Sequence, residues 1–132
     1  MKITATRREG FAHDVKIDGH DLVVDEPTSA GGMDLGPTPV QLLASALATC
    51  TAITVEMYAE RKRWEIGSVT VDVDYESDGR GGAKEFMVNL GLAKGLSADQ
   101  TARLLKIAGK CPVHRVMAAN TEVEIVDTVT LV

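Results

Sequence analysis

The two cysteines of this sequence are the residues whose types and neighbours are best suited to a chemical reaction, namely thiol chemistry. Cys111 lies in the stretch GKCPVHRVM, directly before Pro112, and Cys50 ends the apolar stretch LLASALATC. Proline fits best at the first position of a helix, because its missing N–H is one of the donors that have no partner there. Cys111 is therefore predicted to be a helix N-cap, where unpaired N–H groups and the helix dipole favour thiolate over thiol. His114 and Arg115 in the first turn would add to this effect.

Each cysteine also has a structural interpretation that the sequence leaves open. Cys111 could be a small buried residue at a break between two helical segments, and Cys50 could simply pack in an apolar helix. Taken together, the two suggest a redox pair, in which one thiol attacks an oxidised substrate and the other converts the sulfenic acid into a disulfide. The histidines show no metal-ligand spacing with the cysteines, so no metal is expected; they are His13, His20 and His114.

The helix that carries Cys50 is predicted to begin at Thr38 and to run to about Lys62. Thr38 suits the N-cap, Pro39 the first helical position, and Gln41 can reach back to the cap. The larger apolar residues share one face with Cys50, namely Leu42, Leu43, Ala46, Leu47, Ile53 and Met57. The other face is mostly small, with Ala44, Ala48, Ala52, Val55 and Ala59. We expect such a helix to be buried on both sides, as a core segment too polar to span a membrane.

The remaining patterns predict antiparallel hairpins and a second helix. Strands are expected over 2–8, 11–25, 69–76 and 86–92 and in the final TEVEIVDTVTLV, with turns at Asp18-Gly19 and DGRGG. Ser97 and Gln100 form a capping box that opens a helix ending near Gly109. Helices set apart from hairpins indicate the α+β class.

Length and charge narrow the class of protein. The 132 residues predict a single domain over 1–132, and the net charge of −5 argues against nucleic-acid or anionic-membrane partners. The start, MKITATRREGF, lacks the features of a signal peptide, so we expect a cytoplasmic protein with reduced thiols. A helix of about 25 residues spans ~37 Å, whereas a globule of this length has a radius of gyration near ~14 Å. This mismatch predicts a homodimer in which the long helices pack together.

The stretch GPTPVQLLASALATC followed by KCPVHRVM resembles the OsmC and Ohr family, over nearly the whole chain. That family consists of small dimeric proteins that include thiol peroxidases acting on organic hydroperoxides. The resemblance implies an OsmC-like α+β fold with two long central helices packed with antiparallel β-sheets in an intertwined homodimer. It also implies that Cys50 is the peroxidatic cysteine and that Cys111 resolves it.

In this family an arginine lies beside the peroxidatic thiolate, and a glutamate orients that arginine. Arg8, in Arg8-Glu9-Gly10, is similar to the arginine motif, with Arg7 as a substitute after a one-residue slip. Either arginine could instead be a solvated strand charge. Val40 stands where Ohr proteins carry the glutamate, so the orienting carboxylate is missing from this position.

The resemblance implies a thiol peroxidase that is regenerated by an external dithiol of the lipoyl type. The apolar residues around Cys50 suit an alkyl hydroperoxide as substrate, and the expected reaction needs no metal, flavin or haem. The alternative is a non-catalytic OsmC-like protein that binds small apolar molecules or responds to redox state. A third interpretation makes His114 and Arg115, at a helix N-terminus, a separate phosphate or carboxylate site.

Overall fold

The computed structural model describes residues 1–118 and 123–131. Its strands are β1 (Ile3–Glu9), β2 (Ala12–Ile17), β3 (His20–Val24), β4 (Thr70–Ser77) and β5 (Ala83–Gly91). Its α-helices are α1 (Pro39–Lys62), α2 (Ala98–Ala108) and α3 (Pro112–Met117), and a 3-10 turn covers Thr28–Ala30. Helices and antiparallel sheets occupy separate stretches of the chain, so the α+β prediction is confirmed.

The chain divides into two compact units. The first comprises Met1–Ser45 and Asp74–Met87, and the second comprises Ala46–Val73 and Val88–Val132. Both α1 and the β4–β5 hairpin contribute residues to each unit. A single domain over 1–132 stays a prediction.

The first unit contains a three-stranded antiparallel sheet in the order β1-β2-β3. Asp18 and Gly19 connect β2 to β3 with φ angles of 42° and 86°. Positive φ at both residues is typical of the two-residue hairpin turns whose twist matches the strands, and Asp-Gly suits them. The predicted turn is therefore confirmed, and the pairing of Ile17 with His20 sets the register of the hairpin.

A buried carboxylate organises the loop between β3 and α1. Asp25 accepts hydrogen bonds from the backbone N–H groups of Glu26 at 2.7 Å and of Met33 and Leu35 at 3.2 Å each. Burial, the largest influence, raises the pKa of Asp25, but these three donors and the charge of His13 together outweigh it. The net result is a pKa below the ordinary aspartate value, so the loop is held by an ionised group.

Helix α1 begins and ends where the sequence predicts. The Oγ1 of Thr38 accepts the N–H of Gln41 at 3.1 Å, and the Oε1 of Gln41 accepts the N–H of Thr38 at 2.9 Å. This reciprocal capping satisfies two donors that have no partner in the first turn. The helix runs to Lys62, and Arg63 follows with a positive φ of 57°.

The core of the second unit lies between α1, α2 and the segment that follows α1. Its buried members are Val55, Ala59, Ile66, Leu104 and Ala108, with Tyr58, Trp64, Val69, Leu90, Leu92 and Leu96 packed against them. Ser97 and Gln100 form the predicted capping box at the start of α2, and Gly109 is the C-cap. The core therefore fixes α2 against α1, and the chain leaves α2 toward Cys111.

The prediction that α1 is buried on both sides is wrong for the single chain. The helix buries the mostly small stripe Ala44, Leu47, Thr51, Val55 and Ala59. Its larger apolar side chains remain exposed, with 54% exposure at Ile53 and 58% at Met57. A sequence pattern shows that both faces are apolar, but only the fold shows which face the chain itself covers. By length and composition alone α1 could also cross a membrane, a test that core helices of soluble proteins pass as well.

The predicted last strand is not found in the residues that the structure describes. Residues 123–131 form no strand, and their apolar side chains face solvent, with 83% exposure at Ile125 and 93% at Leu131. A strand needs a neighbour for its backbone hydrogen bonds, and alternation of apolar residues cannot supply one. The predicted strand residues Thr121, Glu122 and Val132 lie outside the described part of the chain.

Candidate thiol site

Cys111 is the N-cap of α3, as its position before Pro112 predicts. Its backbone is extended, with φ −61° and ψ 142°, and Pro112 occupies the first helical position. The Sγ of Cys111 accepts the backbone N–H of His114 at 3.1 Å. Cys111 is completely buried, at 0% exposure. Since this N–H of His114 already bonds the sulfur, the short helix offers a poor separate site for a phosphate or carboxylate.

A second hydrogen bond ties Cys111 to α1. The Oγ1 of Thr51 donates to the Sγ of Cys111 over 3.7 Å, and Thr51 is itself buried at 1% exposure. Thr51 directly follows Cys50, so their Cα atoms lie about 3.8 Å apart. The fold therefore brings Cys111 to the helix turn that carries Cys50. Both cysteines are free thiols, and Cys50 is half-buried.

A small apolar pocket adjoins the groups that hold Cys111. It has a volume of about 200 Å³ and is lined by Thr51, Val88, Leu90, Leu105, Ala108, Gly109 and His114. Thr51 and His114 both donate to the sulfur of Cys111, so the pocket borders the thiol site from the second unit. Its lining suits an apolar group rather than a charged one.

Arg8 lies at a β-bulge in β1 and pairs with a carboxylate on β2. The pairing of β1 with β2 shifts between Arg7 and Glu9, which leaves Arg8 at the irregular position. Its Nη2 lies 2.6 Å from Oδ1 of Asp14, and its Nε donates to Oδ2 at 3.4 Å. The hydrogen bond from Arg8 to Asp14 and the charge of that carboxylate raise the pKa of Arg8. Bulges re-aim side chains, so this one sets the direction of the arginine.

Arg7, the substitute for Arg8, uses its side chain locally. Its Nε donates to the backbone oxygen of Gly10 at 2.9 Å, which braces the β1–β2 turn. Of these two arginines, Arg8 is the one that contacts a carboxylate. Arg8 belongs to the first unit and the cysteines to the second, and its role beside Cys50 stays a prediction.

Two residues of the site were missed by sequence reasoning. Asp14, the partner of Arg8, is six positions away and becomes adjacent only when β1 folds back on β2. Thr51, the partner of Cys111, could have been noticed as the polar member of the stripe Leu47, Thr51 and Val55. At helical spacing, a polar side chain in such a stripe requires a buried hydrogen-bond partner.

Val40, where the family glutamate is absent, borders a pocket that does contain a carboxylate. This pocket of about 580 Å³ lies in the first unit, and Glu26 and Val40 are both among its lining residues. The helix start has no acidic side chain at Val40, but Glu26 of the preceding loop brings a carboxylate to the same pocket.

Metal ligands do not cluster in the described residues. Within 1–118 and 123–131, no group of three or more His, Cys, Asp or Glu side chains could hold a metal ion. The expectation of a metal-free site stays a prediction.

The fold and a family model agree on the class of protein. Residues 31–126 match the family model described as OsmC-like protein, which is well over half of the chain. The chain therefore belongs to the OsmC-like protein family, as the two cysteine motifs imply.

Solved structures agree on the fold. The chain is similar to an OsmC-like protein from Mycoplasma pneumoniae, with 22% identity, 89% of this chain and 86% of that chain covered, and a TM-score of 0.75. It resembles the organic hydroperoxide resistance protein OsmC from Legionella pneumophila, with 23% identity, 91% of each chain covered and a TM-score of 0.62. It is also similar to the organic hydroperoxide resistance protein OhrB of Bacillus subtilis, with 25% identity, 91% of this chain and 93% of that chain covered, and a TM-score of 0.56. No curated protein matches the sequence.

Proposed function

We propose that this protein is a thiol-dependent peroxidase that reduces organic hydroperoxides to alcohols in defence against oxidative stress. The observation that carries the proposal is the hydrogen bond from Thr51 to Cys111, because it ties the second thiol to the helix turn of the first. Membership of the OsmC-like family supports the same chemistry, as do the hydroperoxide resistance proteins among its structural neighbours.

In the proposed reaction, the thiolate of Cys50 attacks the distal oxygen of the hydroperoxide. The O–O bond breaks, an alkoxide leaves and takes up a proton to become the alcohol, and Cys50 becomes a sulfenic acid. The sulfur of Cys111 then attacks the sulfur of Cys50, so that an S–S bond forms, the S–O bond breaks and water leaves. An external dithiol, of which a lipoyl group is one example, reduces the disulfide. No metal, flavin or haem takes part.

Asp14 supplies the carboxylate that is missing at Val40. In this chain it holds Arg8 through two contacts from the adjacent strand, at 2.6 and 3.4 Å. A bidentate pair of this kind fixes the plane of a guanidinium, which is the task of the family glutamate. We assign Arg8 to stabilising the Cys50 thiolate and Asp14 to orienting Arg8.

The proposed working form is a cytoplasmic homodimer that has neither nucleic acid nor membrane as a partner. The exposed apolar residues of α1, Leu43, Ile53 and Met57, support the dimer, because a second copy would remove them from water. The net charge of −5 disfavours binding to phosphate-rich partners.

A non-catalytic binding protein is the second candidate. It is favoured by Val40 and by an apolar pocket of about 330 Å³ in the first unit. That pocket is lined by Ala5, Phe11, His13, Val15, Val24, Asp25, Glu26 and Pro39. Such a protein would bind a small apolar ligand without turnover.

Consumption of cumene hydroperoxide separates the two candidates. The wild type is expected to turn over with dithiothreitol or dihydrolipoamide, whereas Cys50→Ser is expected to lose turnover because it lacks the attacking thiolate. Ala48→Ser, on the same helix, serves as the matched control and should retain activity. Absence of turnover by the wild type with both reductants would favour the binding protein.

A further inference from the structure

Thr51 and Asp25 are the buried polar or charged residues within the described part of the chain. Asp25 is surrounded by backbone donors of its own loop. Thr51 instead lies in the apolar stripe of α1, where an unpaired hydroxyl would be costly. Its hydroxyl is directed to a sulfur that follows 60 residues later. A valine of the same shape would fill this place without needing a partner, so the hydroxyl itself calls for an explanation.

We propose that Thr51 is a positioning residue for the disulfide step, which holds the sulfur of Cys111 beside α1 next to Cys50. This inference rests on the proposed function. It goes beyond the two cysteines and the arginine by assigning a role to the residue that follows Cys50.

The two donors to the sulfur of Cys111 come from different helices. The N–H of His114 comes from the first turn of the same helix that Cys111 caps, so it fixes the sulfur relative to α3. Among the hydrogen bonds of residues 1–118 and 123–131, the one from the Thr51 hydroxyl fixes the sulfur relative to α1. Since Cys111 is completely buried, no solvent replaces that hydrogen bond when it is lost.

Thr51 acts on position and takes no part in the bond changes. When Cys111 attacks the sulfenic sulfur of Cys50, the hydroxide that leaves takes the proton of the Cys111 thiol and departs as water. The hydroxyl of Thr51 donates its hydrogen bond to Cys111 before the attack and keeps its own proton. Its removal should therefore slow the second step and leave the first step unchanged.

The test compares Thr51→Val with the wild type in single-turnover reactions with cumene hydroperoxide. Quenched samples report the sulfenic acid of Cys50 as its dimedone adduct and the disulfide by peptide mass mapping. We expect sulfenic acid to form at the wild-type rate and the disulfide to form roughly three- to ten-fold more slowly, the range that one hydrogen bond supports. Thr51→Ser should restore the rate, and Thr54→Val, on the same helix, should leave it unchanged.

A second arm separates this inference from the proposed function. The thiolate of Cys50 is expected to attack oxidised glutathione, which releases one glutathione and leaves a mixed disulfide at Cys50. Cys111 then attacks the Cys50 sulfur and releases the second glutathione, so this exchange needs no peroxide. Slower resolution in Thr51→Val would support positioning even if the wild type failed to react with hydroperoxide. A wild-type or faster rate of resolution in Thr51→Val would overturn the inference, as would a lower melting temperature together with an unchanged rate.

Discussion

At the residue scale, Cys111 and Arg8 each have a partner that the fold supplies. The sulfur of Cys111 accepts hydrogen bonds from Thr51 and His114, and Arg8 is paired with Asp14. Residue types and neighbours indicated Cys50 and Cys111 as candidates, and the family resemblance added Arg8. Thr51 and Asp14 were not predicted as their partners, because each lies on a different element from the residue that it contacts.

Removing the carboxylate of Asp14 tests whether it orients Arg8. Asp14→Asn should lower peroxide turnover by roughly two- to five-fold, the range expected when one half-exposed ion pair is lost. The melting temperature should hardly change, because exposed pairs contribute little stability. Glu76→Gln is the matched control, since it breaks the exposed pair with Lys84 on another hairpin. Equal activity of Asp14→Asn and the control would remove Asp14 from the mechanism.

The lowered pKa of Asp25 predicts how the free energy of unfolding depends on pH. The pKa of Asp25 is lower in the folded protein than in the unfolded chain, where an aspartate has a pKa of ~4. The unfolded chain therefore takes up the proton first as the pH falls below ~4. This contribution to the free energy of unfolding is fully present above that pH and is lost as the pH falls through the folded pKa. Urea unfolding between pH 7 and pH 3 should show that Asp25→Asn has a shallower loss of stability in acid than the wild type.

The exposed Asp21→Asn variant is the control for this measurement and should follow the wild-type curve. Asp25→Asn should also be less stable than the wild type at pH 7, because its amide cannot accept all three backbone donors. An identical acid slope in Asp25→Asn and the wild type would show that Asp25 does not contribute in this way.

At the element scale, local signals predicted helix starts and turns, since their causes lie within a few residues. The capping boxes at Thr38 and Ser97 and the Asp18-Gly19 turn all form as expected. The burial of α1 and the strand near Ile125 were predicted wrongly, because both depend on what lies against the element. Apolar periodicity indicates that a face is apolar and favours burial. It does not show whether the same chain packs against that face.

The cap of α2 can be tested directly. Ser97→Ala removes the oxygen that accepts the N–H of Gln100 and should lower the free energy of unfolding by about 1 kcal/mol. Chemical denaturation measures the difference, with Ser68→Ala, in an exposed loop, as the control. If both variants unfold alike, the cap contributes nothing measurable to stability.

At the scale of the whole molecule, two groups of exposed apolar side chains bear on assembly. One is the face of α1 that carries Ile53 and Met57, and the other is the segment 123–131. Such surfaces are costly in water, so a second copy of the chain is the simplest cover for them. This is the physical basis of the proposed homodimer.

A charge on the exposed face of α1 tests the dimer. Ile53→Asp should shift the mass in solution from dimer to monomer, because an aspartate in an apolar interface would be buried without a partner. Light scattering after size-exclusion chromatography measures this, with Ala102→Asp, on an exposed position of α2, as the control. A wild-type chain that is monomeric at all concentrations would contradict the proposal.

The most direct test of the central claim is a single-turnover oxidation followed by peptide mapping without reductant. One equivalent of cumene hydroperoxide should convert the reduced protein to a form in which Cys50 and Cys111 are joined by a disulfide within one chain. Cys111→Ser should instead stop at the sulfenic acid of Cys50. If the wild type keeps both thiols, or loses Cys50 to higher oxidation while Cys111 stays reduced, the two cysteines are not a catalytic pair.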